Sequence, residues 1–157
     1  MSNNEPVIGK DCFLYYSTDF DTIAWTLIAH ARDVNSPLTK NKIALPDRAA
    51  KGWNPKAGGL KEIGVEFGYL YQSGSDAVFD VLMDSFLNDT VLYFFVADGP
   101  VADPNWSAQG FRFPGQVFDY PHDEALEDGV TYNVGVELSR KCNAAGQLIL
   151  PDWYEPA

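Results

Sequence analysis

Residues 60 to 71 read LKEIGVEFGYLY, and they alternate strictly. Ile63, Val65, Phe67, Tyr69 and Tyr71 fall on one side of an extended chain. Glu62, Gly64, Glu66 and Gly68 fall on the other. A period of two marks a strand with one buried face and one wet face. The wet face is unusual. Glycine weakens a strand through lost packing and extra backbone entropy, yet two glycines sit here with only carboxylates between them. A second stretch repeats the pattern. In GVTYNVGVELSRK, 129 to 141, Val130, Tyr132, Val134, Val136 and Leu138 face one way. Thr131, Asn133, Gly135, Glu137 and Ser139 face the other.

Around these two strands the chain reads as one mainly β domain, residues 1 to 157, with about six antiparallel strands. IGKDCFLYY, 8 to 16, is a first strand. DTIAWTLIAHARDVN, 21 to 35, is a second, with Trp25, Leu27, Ala29 and Ala31 on one face. TVLYFFVAD, 90 to 98, is apolar on both faces, as a strand covered on both sides should be. QGFRFPGQVFDY, 109 to 120, is interrupted by Pro114-Gly115 and so carries a bend, a bulge or an edge. The period changes once. In SGSDAVFDVLMDSFLND, residues Phe79, Leu82, Met83, Phe86 and Leu87 recur at helical spacing. Ser75 is a suitable N-cap and Asp76 suits the positive end of the helix dipole, so a helix is expected over about 75 to 88, packed on strand 90 to 98. Residues 1 to 7 form an N-terminal arm. The tail from 142 to 157 either finishes the sheet or lies on a neighbour.

Composition narrows the function. Hydrophobic residues are 46% of the chain and aromatics 14%, enough for a core. No apolar run approaches the roughly 20 residues of a membrane helix. The start, MSNNEPVIGK, lacks a secretory leader's basic and apolar regions. Both point to a soluble protein made in a cytoplasm, where Cys12 and Cys142 are expected as free thiols. The net charge of −11 opposes nucleic-acid gripping. The charge is uneven: residues 36 to 59 hold Lys40, Lys42, Arg48, Lys51 and Lys56 against Asp47 alone, a net +4 against −15 elsewhere. That segment, punctuated by three prolines and Gly58-Gly59, reads as a long basic inter-strand loop. It is either a solvated loop or an arm that docks on an acidic copy of the same protein.

No catalytic signature is present: no P-loop, GxGxxG, GxSxG or HExxH. His30 reads as a structural histidine within a strand, and His122, beside carboxylates, has no named partners for a metal site. No metal or cofactor is expected. Glu62 and Glu66 would lie about 13 Å apart along a strand, beyond the roughly 5–9.5 Å of a glycosidase pair. Glu66 and Glu137 could meet across strands at about 5 Å. The aromatics of both strands point the other way, so a solvated face is favoured over a hydrolase site.

The order of segments resembles the major tail tube proteins of long-tailed bacteriophages. It rests on AWTLIAHARDVN leading into KNKIALPDRAAKGW, on GGLKEIGVEFGY, on the helix after SGSDAVFDVLMDSF, and on GFRFPGQVFDYPHDEALEDGVTYNVGVEL. The resemblance implies an antiparallel β-sandwich or barrel with one flanking helix. It implies hexameric rings whose inner strands join into one barrel, and stacking of rings into a tube that conducts genomic DNA during ejection without specific binding. Contractile-tail and type VI secretion tubes share the plan. The implied partners are further copies of the chain and the tail tape measure, terminator and baseplate or hub proteins, with no membrane. The implied location is the virion tail, assembled in the host bacterial cytoplasm. On this reading Glu62, Gly64, Glu66, Gly68, Thr131, Asn133, Gly135 and Glu137 line the lumen, and Lys40, Lys42, Arg48, Lys51 and Lys56 contact the next ring. Alternatives are another ring-forming tail or secretion-tube protein, or a monomeric β-sandwich that binds a small ligand or carbohydrate.

Overall fold

The computed structural model describes residues 13–46, 48–71, 76–101, 108–124 and 129–155. The N-terminal arm, Cys12, Asp47 and Ser75 lie outside them. Among the described residues ten strands form one antiparallel sheet. They are β1 Phe13–Ser17, β2 Thr26–Leu27, β3 Ala31–Asn35, β4 Leu38–Ala44, β5 Lys56–Leu70, β6 Leu92–Ala97, β7 Gly110–Asp119, β8 His122–Glu124, β9 Val130–Leu138 and β10 Asp152–Tyr154. One α-helix, α1 (Ala77–Asn88), lies between β5 and β6 in sequence. The main path runs β2-β1-β6-β7-β9-β5-β3, with β4 on β5, β8 on β9 and β10 on β7. The sheet curls into a half-barrel.

The two alternating strands pair with each other. In the β5–β9 ladder Val65 lies opposite Val136, Phe67 opposite Val134 and Tyr69 opposite Tyr132. These residues join Leu14, Phe94, Phe113 and Leu82 in the main core. A smaller core on the other face packs Tyr15, Phe95 and Ala97 against Trp25, Leu27 and Tyr154. That explains why β6 is apolar on both sides.

Several expectations need correction. Residues 21–35 do not form one strand: they break into β2 and β3 around a turn at Ala29-His30. Ile28, not Ala29, is buried, and its N–H donates to the Leu14 carbonyl. His30 therefore sits in a turn, edge-on to Tyr69. The basic segment 36–59 is not an irregular loop. It is a hairpin made by β4 and the start of β5, closed by a 3-10 turn at Arg48–Ala50. Pro114 lies in β7 between β6 and β9 and so is not at a sheet edge. It stays in register with Tyr93, and its carbonyl accepts from Ser139 N–H just past the last rung to β9. A proline nitrogen aimed at the end of a ladder costs no bond. The irregularity falls instead between Val117 and Asp119.

Helix α1 is capped by Asp76: its Oδ1 accepts from Phe79 N–H at 3.1 Å. The same carboxylate accepts from the Tyr69 hydroxyl at 2.7 Å. Burial, and then the Asp76 carboxylate, push that hydroxyl's pKa well above its usual value. The helix lies mainly along β7, while its Leu82 joins Leu92 and Phe94 of β6 in the main core. Buried Ser85 donates to the Thr90 carbonyl and accepts from Val117 N–H, so it fills the gap left by the bulge. Phe79 sits among Tyr71, Tyr120 and Tyr132. Of the expected apolar stripe, Leu82 is 0% exposed but Phe86 is 40% exposed. The tail also finishes the sheet: β10 pairs with β7, and Arg112 makes a two-pronged salt bridge to Asp152 at 2.8 and 2.9 Å.

Leu82→Ala should therefore cost about 2–5 kcal/mol in urea denaturation. Phe86→Ala should cost less than about 1 kcal/mol.

Candidate functional site

The eight residues expected on the outer face of the two strands do share one face. The ladder sets Gly64 opposite Glu137, Glu66 opposite Gly135 and Gly68 opposite Asn133. Leu70 faces Thr131. Residues directly opposite in an antiparallel pair project on the same side, and Glu62, Glu66, Asn133 and Glu137 are exposed. Each of these glycines thus lies beside a long polar side chain. The register also corrects the 5 Å pairing of Glu66 with Glu137. Each has a glycine across from it, so the two are diagonal neighbours at about 7–8 Å.

Neighbouring strands widen the face. Asn35 lies opposite Glu66 and Arg32 opposite Gly68. On the other side Gln116 lies opposite Glu137 and Asp119 opposite Gly135. Thr39 of β4 faces Glu62. These five flanking contributions were not legible beforehand, because the register of β3, β4 and β7 depends on three irregularities, one in each strand's pairing. The face holds two depressions. One of about 640 Å³ is bordered by Arg32, Asn35, Glu66, Asp119 and Asn133. The other, about 390 Å³, is bordered by Thr39, Glu62, Gly64 and Glu137. Among the described residues carboxylates outnumber Arg32, the one basic side chain bordering either depression. Among the described residues no group of three side chains could hold a metal ion, and no helix is long and apolar enough to cross a membrane. His122 stacks on Tyr132 and contacts Glu124 at 3.1 Å.

The glycines are not equivalent. A Cβ on Gly64 would sit 2.7 Å from the Val136 carbonyl oxygen. Its neighbour is backbone, so nothing small can give way. At Gly135 a Cβ would meet the Asp119 side chain at 3.1 Å. Gly68 has room: the nearest atom, Thr131 Cγ2, is at 3.6 Å. Gly64 is therefore demanded by the fold, and Gly68 is not.

The five basic residues expected at an inter-ring contact, Lys40, Lys42, Arg48, Lys51 and Lys56, are all exposed on the β4–β5 hairpin. Trp53, near its tip, is 81% exposed and Leu60 is 78% exposed.

Gly64→Ala should destabilise the subunit by about 1–3 kcal/mol, by strain against the Val136 carbonyl. Gly68→Ala should leave stability unchanged or raise it by up to about 1 kcal/mol, since mid-strand glycine carries an entropic cost. Paired urea titrations check both.

No protein-family model matches the chain, and no curated protein matches it. Solved structures do. The chain is similar to the SPP1 tail tube determined by solid-state NMR and cryo EM: 16% identity, TM-score 0.71, covering 96% of this chain and 80% of that one. It is similar to a chain in the virion of the native gene transfer agent particle, at 12% identity, TM-score 0.64 and coverages of 96% and 98%. It is also similar to a chain in the tail of an empty gene transfer agent particle, refined with C6 symmetry, at 13% identity, TM-score 0.64 and coverages of 91% and 97%. The chain has the fold of a bacteriophage major tail tube protein.

Proposed function

We propose that the chain is a structural virion protein, the tail tube subunit of a long-tailed phage or related particle. Six copies form a ring, and rings stack into a tube. The polar face of β5 and β9 lines the lumen, and the β4–β5 hairpin meets the next ring. One observation carries the reading: two long paired strands bury valine and aromatics on one side and hold glycine against carboxylate on the other. A lone β-sandwich has no need of such a face. A pore wall does, because DNA carries about one charge per 1.7 Å of axis and would adhere to a basic lining. The fold shared with the SPP1 tail tube supports the tube, and the C6 symmetry of the gene transfer agent tail supports the ring of six.

The role is structural, not enzymatic. The tape measure, terminator and baseplate or hub proteins are its neighbours in the virion tail, which assembles in the host cytoplasm. DNA passes through without specific binding.

Negative-stain images of concentrated protein, with tail-initiation components added, should contain tubes with sixfold end views. A sample that stays monomeric under all those conditions overturns the proposal. Exchanging Glu62, Glu66 and Glu137 together for Lys should make assembled tubes retain DNA at low salt and release it at high salt. If such tubes form and pass DNA at the ordinary rate at low salt, the three carboxylates lie outside the channel.

A further inference from the structure

The β4–β5 hairpin is a poor match for its own chain. Lys40 lies directly opposite Lys61, and like charges on one rung repel. Among the described residues no acidic side chain pairs with Lys40, Lys42, Arg48, Lys51, Lys56 or Lys61. Between these charges Leu45, Trp53 and Leu60 stand exposed. A basic surface with unpartnered aromatic and aliphatic anchors has the composition of an interface core and rim. β9 ends at Leu138, so the residues of β5 before Ile63 have only β4 beside them. From Lys56 to Ile63 this ladder projects roughly 23 Å.

The complement is on the same molecule. The outward face of α1 carries Asp80 and Asp84, with Leu87 65% exposed and Phe86 beside it. The helix has no Lys, Arg or His. Asp89, at the C-cap in the left-handed conformation (φ 57°), adds a negative charge at the negative end of the helix dipole, an arrangement unfavourable without an outside cation. Asn88 and Thr90 donate to Asp84 and hold its carboxyl below its ordinary range. A copy cannot satisfy itself. α1 lies along β7 and reaches the part of β5 near Tyr69 and Tyr71, while the hairpin continues β5 in the other direction, beyond Ile63.

We infer that helix α1 is the receptor for the β4–β5 hairpin of a second copy of this chain: Trp53, Leu45 and Leu60 seat against Leu87 and Phe86, and the hairpin lysines face Asp80, Asp84 and Asp89. The inference rests on the tube reading and names the surface that the hairpin meets. Two different surfaces in contact make a heterologous interface, which propagates as an open stack instead of closing as a dimer.

Charge exchange tests it. Lys40→Glu with Lys42→Glu and Lys56→Glu should reduce pelletable polymer at least about tenfold, and so should Asp80→Lys with Asp84→Lys. Circular dichroism and urea midpoints check that each variant is folded. Combining both sets in one chain should restore polymer, because every contact again joins opposite charges. If both single sets lose polymer and the combination does not recover it, α1 is not the receptor, although the tube reading stands. If the hairpin set polymerises normally, the hairpin does not dock through its charges and the inference also falls. A cross-link keeps the test open should a charge variant not fold. With Cys12 and Cys142 replaced by Ser, W53C and L87C together should give disulfide-linked chains in assembled tubes. Tubes that assemble without that link overturn the inference, and failure of the wild type to form tubes overturns the tube reading beneath it.

Discussion

Seven consecutive rungs join β5 to β9, from Gly64 opposite Glu137 to Leu70 opposite Thr131. Their register is the constraint on which the rest of the molecule depends. Both strands alternate, so only one of two phases puts their apolar residues together. A slip of one residue would turn Val65, Phe67 and Tyr69 out to water and bring Glu66 into the core. The native phase is locked from both sides. On the core side Tyr69 is fully buried and its hydroxyl reaches Asp76. On the polar side the backbone around Gly64 approaches the Val136 carbonyl too closely for a side chain. The Pro37 carbonyl and the Ser36 hydroxyl also hold Gly64, through its N–H and its carbonyl.

The same ladder explains the shape at its two ends. Near Tyr69 it meets α1, whose N-terminus is tied down by the Asp76 contact. Near Gly64 β9 stops and β5 continues, so the chain there can pair only with β4. A helix seated over the core and a projecting hairpin thus follow from two strands of unequal length. The bulge in β7 has a similar double role. It frees the Val117 N–H, which Ser85 of α1 accepts, and it carries Asp119 over Gly135 on the other face.

Much of this was legible because period-two alternation depends on nothing beyond the strand itself. The burial of Ile63, Val65, Phe67, Val134 and Val136 follows from it, while the double-sided β6 showed as a continuous apolar run and α1 as a change to helical spacing. The failures share a cause. In 21–35 small alanines at 29 and 31 prolong an apparent alternation through a turn closed by a hydrogen bond from Ala31 N–H to the Ile28 carbonyl. In 36–59 prolines and charges suppress the strand signal, since β4 buries nothing and so has no apolar face to announce it. The helix was placed correctly in sequence, but its seat on β7 depends on a bulge without a local marker. For the candidate site, residue identities were legible and neighbours were not. Arg32, Asn35, Gln116 and Asp119 join the face only through register.

The two glycines of β5 separate what the fold needs from what it tolerates. At Gly64 the carbonyl of Val136 excludes any side chain, so its presence says nothing about a pore. At Gly68 the φ angle is not positive and the nearest atom to an added Cβ is in ordinary contact. Glycine there still costs about 0.5–1 kcal/mol relative to alanine. No contact among the described residues offsets that cost, and on the proposed tube reading the reason lies in what approaches the face from outside. Arg32 and Asn133 flank Gly68 on its two sides, and bare backbone between them leaves a gap in the wall. In a closed ring a side chain at this position would be repeated six times around the lumen under the proposed symmetry. The smooth wall suggested by both glycines together is therefore argued by Gly68 alone.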